Sequence, residues 1–314
     1  MMEILAEEFA AAGNQVTVVT QTANGGSHAA NYQVVRQPGL TAFLGLLRRT
    51  DVCLCASVSL RGLWPIILAR RPFAISHQTL YDSPGFSPIA ELKKAVTRFS
   101  TNIFNSESVS RQLPGRGITI PNTYRSEIFR EFGDVPKDLD IVFVGRLVSE
   151  KGVTDLLDAM SYLGKVAVRP RLSIVGNGPE YQALVTRVGE LGLRKQVDFM
   201  GVKRGVELAR FIARHRIMVV PSRWVETFGI VALEGIACGC VVVGTDRGGL
   251  PEAIGSCGIT VPAANGKALA EGMKSLLEND ELWSRYRSSA ALHLARHSRS
   301  AIARCYLQVL AGVA

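Results

Sequence analysis

Short apolar runs and stripes of apolar residues at helical spacing alternate along most of this 314-residue chain, and that alternation constrains the fold more than any other feature. An amphipathic helix over 1–12, ended by Gly13, leads in. Strands are then expected at 16–20, 32–36, 52–55, 73–76, 102–104 and 118–120, with helices at 41–49, 60–70, 88–99 and 107–113 between them. A Gly-rich loop falls at Gly25-Gly26. The rhythm pauses over 131–139 and restarts with strands at 140–144, 171–175, 197–200, 217–220, 240–243 and 259–261. Helices at 153–163, 180–191, 206–215, 229–237 and 267–278 separate these, and helical patterns over 280–297 and 300–311 follow. This is the pattern of parallel sheets with helices on both faces. The length suits two domains, expected over 1–136 and 137–299.

Open parallel sheets bind ligands outside the carboxyl ends of their strands, and the residues with chemical potential sit where those ends are expected. Strand 142–144 runs into Gly145-Arg146, with Lys151-Gly152 just before a helix. A lysine near a helix N-terminus opposes the dipole and calls for an anion. Val175-Gly176-Asn177-Gly178-Pro179 reads as a tight βα connection. Thr227-Phe228-Gly229-Ile230 brings free amides to a helix start, a ready anion site. Two carboxylates flank these amides, Glu226 in the loop and Glu234 inside an otherwise apolar helix. A buried glutamate requires something to satisfy it. Capping of a neighbouring loop by Glu234 and plain solvation of Glu226 are the alternatives.

The run E-T-F-G-I-V-x-L-E-x-x-A-C-G, followed by G-G-L-P-E at 248–252, resembles the donor site of the retaining, glycogen-synthase-like glycosyltransferases called family 4. The resemblance implies an α/β fold of two Rossmann-like domains facing across a cleft (GT-B), with the donor on the second domain and the acceptor on the first. It implies that the last helix, 300–314, crosses back onto the first domain. Glu226 would lie against the donor sugar, and Glu234 would hold the ribose hydroxyls. Arg146 and Lys151 would neutralise the diphosphate, while Gly145, Gly176, Gly178, Phe228, Gly229 and Ile230 would shape the nucleotide site. The backbone at Val202 would meet the base. His77, after strand 73–76, would face the transferred sugar. The implied reaction moves a sugar from a nucleotide-sugar donor to the hydroxyl of a sugar or lipid-linked sugar, with retention of configuration, in polysaccharide or glycolipid synthesis. The nucleotide sugar is a substrate in this reading, with no cofactor and no metal expected. A noncatalytic sugar-nucleotide-binding partner and a sugar-nucleotide epimerase are the alternatives. The family opens with a strand and a Gly-Gly turn before its first helix, whereas Met1-Met2-Glu3-Ile4 begins at that helix; the first strand of the N-terminal domain is therefore expected to be missing.

Composition excludes several other classes. No apolar run has the length of a membrane span. The acidic start, Met-Met-Glu-Ile-Leu-Ala-Glu-Glu, is unlike a secretory signal, and a cytoplasmic location is expected. The net charge of +9 is dispersed and accompanies no nucleic-acid-binding motif. Arg48-Arg49 and Arg70-Arg71 suit helix ends, and together with Lys93-Lys94 they are compatible with a peripheral contact to anionic lipid. Six cysteines, without histidines at ligand spacing, read as small buried hydrophobes, Cys257 and Cys305 included.

Overall fold

The computed structural model describes residues 1–23, 31–80 and 87–314; the Gly-rich loop expected at Gly25-Gly26 lies outside them. In chain order the elements are α1 (Met2–Ala11), β1 (Thr17–Thr20), β2 (Gln33–Arg36), α2 (Leu40–Leu47), β3 (Cys53–Ala56), α3 (Leu60–Leu68), β4 (Phe73–His77), α4 (Pro88–Val96), β5 (Thr101–Phe104), α5 (Glu107–Ser110) and β6 (Gly117–Thr119). There follow β7 (Leu139–Val144), α6 (Val153–Lys165), β8 (Leu172–Val175), α7 (Tyr181–Glu190), β9 (Val197–Phe199), α8 (Gly205–Ala213), β10 (His215–Val220), α9 (Ile230–Ala237) and β11 (Val241–Thr245). The chain ends with α10 (Leu250–Ile254), β12 (Gly258–Val261), α11 (Gly266–Glu278), α12 (Asp280–Ser288), α13 (Ala290–Arg296) and α14 (Arg299–Ala311). Contacts divide it into two units, Met1–Thr123 with Ser298–Ala314, and Tyr124–His297. The division falls at Thr123 rather than 136 because Tyr124 and Phe129 are buried in the second unit's core, with Phe132 and Val135 packed beside them.

In the first unit the described strands pair in parallel as two ladders, β1-β2 and β3-β4-β5-β6. No ladder joins β1 to β3 among the described residues. Side chains alternate across β4. Ala74 packs with Leu5 and Phe9 of α1 and with Ile302 and Tyr306 of α14, whereas Ile75 packs with Leu63 of α3 and Val96 of α4. Tyr306 is fully buried, and its hydroxyl shares a 2.8 Å hydrogen bond with Ser76. Arg299 adds ion pairs to Glu7 and to Glu8 that hold α14 against α1.

The second unit is a parallel sheet in the order β12-β11-β10-β7-β8-β9. Its strands read as continuous apolar runs because both faces are covered: Ile141, Phe143 and Ile217 face one core, Val142, Met218 and Val220 the other. The chain runs outward from β7 through β8 to β9, and in the opposite direction from β10 through β11 to β12. Adjacent strands β7 and β10 therefore form the topological switch point.

Three local expectations are corrected. The helix expected over 107–113 is a single turn, Glu107–Ser110, capped by the Ser106 hydroxyl and stopped by Pro114-Gly115. The pattern over 280–297 is two helices that part at Ser289, because Trp283 and Tyr286 pack on one core of the second unit and Ala290 and Leu294 on the other. Cys305 is exposed, since α14 turns Ile302, Ala303, Tyr306 and Leu310 inward and leaves it on the outer face.

Candidate active site

The loops that leave β7 and β10 meet at the switch point. After β7 the chain makes a 3₁₀ turn, Ser149–Lys151, and reverses at Gly152 with φ of 69°. A Cβ there would stand 1.9 Å from the Pro221 carbonyl oxygen, so glycine is required by conformation and by space together. Replacing Gly152 with alanine is expected to cost roughly 2 kcal/mol of stability, from strain and overpacking, and to lower the melting temperature measurably in a thermal scan.

This close approach puts Lys151 beside Glu226. The Lys151 Nζ donates to Glu226 Oε1 at 2.5 Å, and Ser222 Oγ donates to the same oxygen at 2.7 Å. Neighbouring bonds hold the pair in place. The Arg223 and Trp224 amides donate to the Glu150 carbonyl at 2.9 and 3.3 Å. The Arg223 guanidinium forks onto buried Asp155 with two 2.6 Å bonds, and Thr245 Oγ1 donates to the Ser222 carbonyl at 2.7 Å. From the loop after β11, the Gly249 amide donates to the Glu226 carbonyl at 2.8 Å, and a Cβ on Gly248 would meet that oxygen at 2.0 Å.

The loop after β8 locks onto the loop after β7. A Cβ on Gly176 would lie 1.8 Å from the Gly145 carbonyl oxygen, and one on Gly178 would lie 2.3 Å from that of Leu147. The Gly145 amide donates to Val175, the Leu147 amide to Asn177, and the Gly176 amide to Gly201 just after β9. Val202 follows, exposed. The Arg146 guanidinium is exposed and pairs with no described residue. Lys151 is thus a cation already matched to a carboxylate, while Arg146 is an unmatched one.

Helix α9 begins at Gly229, in the left-handed region at φ 100°, without a side-chain cap, so its first amides are left for an external acceptor. Phe228, fully buried, anchors the approach. One turn into α9, burial pushes the Glu234 carboxyl up to about 7 against the opposing pull of Arg125. It accepts no hydrogen bond from a described residue, and a half-hidden carboxyl in that condition is a group prepared for a partner.

Eleven of the twelve residues singled out in the sequence therefore belong to four strand-end loops of the second unit, those after β7, β8, β9 and β10, and to α9, which follows the last of them. His77 belongs to the first unit. It ends β4 fully buried, with Nε2 2.9 Å from Asn102 Oδ1 and the ring stacked on Phe104, and burial lowers its basicity. Among the described residues no group of three or more His, Cys, Asp or Glu side chains could hold a metal ion.

Sequence reading overlooked the residues that position this site: Ser222, Arg223, Asp155 and Thr245. Asp155 alone left a signal, as a carboxylate on the buried side of α6.

Several known proteins are similar. An uncharacterized glycosyltransferase of Methanocaldococcus jannaschii is 33% identical over 196 residues, 60% of this chain and 53% of that protein. The alpha-D-kanosaminyltransferase of Streptomyces kanamyceticus is 31% identical over 180 residues, 56% of this chain and 46% of the relative. A Mycobacterium tuberculosis glycogen synthase is 32% identical over 142 residues, 45% and 34%. The chain thus matches about half or less of the length of these curated relatives. Among solved structures, Anabaena HepE in complex with UDP-glucose superposes with a TM-score of 0.79 at 18% identity, covering 98% of this chain and 95% of the other. Sucrose-phosphate synthase from Thermosynechococcus elongatus gives 0.77 at 22% identity, covering 98% and 92%. These likenesses show the fold, the parallel-sheet α/β architecture of GT-B glycosyltransferases. The family model of glycosyl transferases group 1 matches residues 125–293, more than half of the chain and the whole of the loop system just described, and the protein belongs to that family.

Proposed function

We propose that this protein transfers a sugar from a nucleoside-diphosphate donor to an acceptor hydroxyl with retention of anomeric configuration, in the synthesis of a polysaccharide or glycolipid. The observation that carries the proposal is the convergence at the switch point: the Lys151–Glu226 pair, the unmatched Arg146 and the uncapped start of α9, with Glu234 behind them. Such a site is built to bind an anion next to hydroxyl groups, which is the chemistry of a nucleoside diphosphate sugar.

In the proposed reaction the bond from the anomeric carbon to the diphosphate oxygen breaks, and its electron pair leaves with the diphosphate. Arg146, Lys151 and the α9 amides neutralise the charge that develops there. The acceptor oxygen bonds to the anomeric carbon from the same face, and its proton passes to the departing phosphate oxygen. Glu226, fixed by Lys151 and Ser222, orients the donor sugar, and Glu234 receives the ribose hydroxyls. The second unit is the donor side and the first the acceptor side. His77 is given no step, because its ring is buried and already bonded to Asn102.

The reading is tested by calorimetric titration of UDP, GDP and ADP into the protein and into its Glu234→Ala variant. Micromolar binding of one nucleotide, weakened in the variant by about 1.5–3 kcal/mol, is expected for a charged hydrogen bond to ribose. UDP is the first to try, since HepE is solved with UDP-glucose. A folded protein that binds none of the three overturns the proposal.

A further inference from the structure

The outer surface of the first unit carries a feature that the transfer reaction does not use. Strands β3, β4 and β5 are parallel neighbours in that order, so right-handed crossovers place α3 and α4 in one layer on one face of the sheet. Leu63 of α3 and Val96 of α4 meet at the same cluster. Much of what this layer leaves exposed is apolar, where a helix facing water is polar.

Along α3, Leu63, Pro65 and Ile66 are buried. At 100° per residue, Arg61, Trp64, Ile67 and Leu68 share the opposite arc, about 120° wide. Trp64, Ile67 and Leu68 are all exposed, Leu68 at 65%. On α4 and the 3₁₀ turn that extends it, Ile89, Leu92 and Phe99 are also exposed, Phe99 at 87%. Several large apolar side chains on one layer exceed the scattered exposure that folded proteins ordinarily tolerate.

The charges around them are of one sign. The chain from Leu40 to Arg71 carries five arginines and one acidic residue, Asp51. Arg61 stands at one end of the α3 stripe and Arg70 at the other. The Arg71 guanidinium donates to the Arg48 carbonyl at 2.8 Å, which gathers Arg48, Arg49, Arg70 and Arg71 at the joined ends of α2 and α3. Lys93 and Arg98 border the α4 stripe, where the acidic residue, Glu91, is paired with Lys94.

From this combination we infer that the outer face of α3 and α4 docks on an anionic lipid bilayer. Leucine, isoleucine and phenylalanine side chains enter the acyl boundary, Trp64 lies at the headgroup level, and the basic rim meets lipid phosphates. The attachment is interfacial: no helix of the described residues is long and apolar enough to cross a membrane. The inference concerns the first unit alone and stands whether or not the donor reading of the second holds.

Flotation of the full chain with phosphatidylcholine vesicles, with and without phosphatidylglycerol, tests it. The protein should float with the anionic vesicles and much less with the neutral ones. Raising salt from about 0.1 M to about 1 M shortens screening from ~10 Å to ~3 Å and should release it. The triple variant Trp64→Ser, Ile67→Ser, Leu68→Ser should lose at least about tenfold in vesicle affinity while keeping its melting temperature, because the three side chains are exposed. Brominated lipid should quench the wild-type tryptophan emission, and the Trp64→Phe variant should lose that quenching. Absence of flotation, or flotation that the triple variant does not weaken, overturns the inference. So does sedimentation showing a dimer that the triple variant dissolves, since the face would then be a contact between copies of this chain.

Discussion

Lys151→Ala is expected to lower kcat by roughly 10²–10³-fold, the range for removing one preorganised group aimed at developing charge. Nucleotide binding should fall far less, because Arg146 and the α9 amides remain. The reasoning rests on where the ammonium is fixed. It sits on the last residue of a 3₁₀ turn, against a glycine that has room for no other side chain, and 2.5 Å from a carboxylate that Ser222 also holds. Its position is set before any donor arrives. Glu226→Gln keeps an acceptor for Ser222 but removes the charge that matches Lys151, and it should likewise depress turnover more than affinity. Steady-state kinetics with the donor chosen by calorimetry would decide the matter. A Lys151→Ala enzyme with wild-type kcat would leave the pair as scaffold.

Glu234 supplies the second large effect, and its sign can be worked out. Burial raises its folded pKa from 4.5 to about 7, so between those values the folded protein holds a proton that the unfolded chain gives up. The contribution of the group to stability is complete below the unfolded value and is lost as pH rises through about 7. Above that the ligand-free protein carries a penalty of about 3 kcal/mol. Glu234→Gln cannot ionise and should be more stable than the wild type at pH 8, the difference vanishing near pH 4. Donor binding should run the other way. A carboxylate receives ribose hydroxyls better than a carboxylic acid, so nucleotide affinity in the wild type should rise with pH through 7 and be flat in the glutamine variant. Denaturant titrations and calorimetry over pH 5–8 measure both. Parallel pH profiles in the two proteins would remove Glu234 from both roles.

The sequence reading reached furthest where a strand end, a glycine and a charged residue fall within a few positions, as at Gly145-Arg146 or Thr227-Phe228-Gly229. There the local backbone dictates the chemistry. It could not reach pairings made across the sheet. Arg223 and Asp155 are 68 residues apart, and nothing in the sequence pairs one with the other. Lys137 looks like a linker lysine, yet its ammonium donates to the carbonyls of Ala213, His215 and Cys238. The same holds for Tyr124 and Phe129, which lie in a stretch without periodicity and are buried in the hydrophobic core of the second unit. The parting of α12 from α13 was hidden because both halves are good helices. Only the two different cores beneath them separate them at Ser289.

The division of the first unit into Met1–Thr123 and Ser298–Ala314 bears on how the protein is made. A ribosome emits roughly 5–20 residues per second, so all of Tyr124–His297 leaves the tunnel before α14 does. The second unit can fold while the first is still waiting for Ile302, Tyr306 and Leu310 to fill the space between α1 and its sheet. Until then the apolar faces of Leu5, Phe9, Ala74 and Ile103 lack the cover that α14 gives them, and a nascent chain paused before α14 would be a substrate for chaperones through segments made long before the pause.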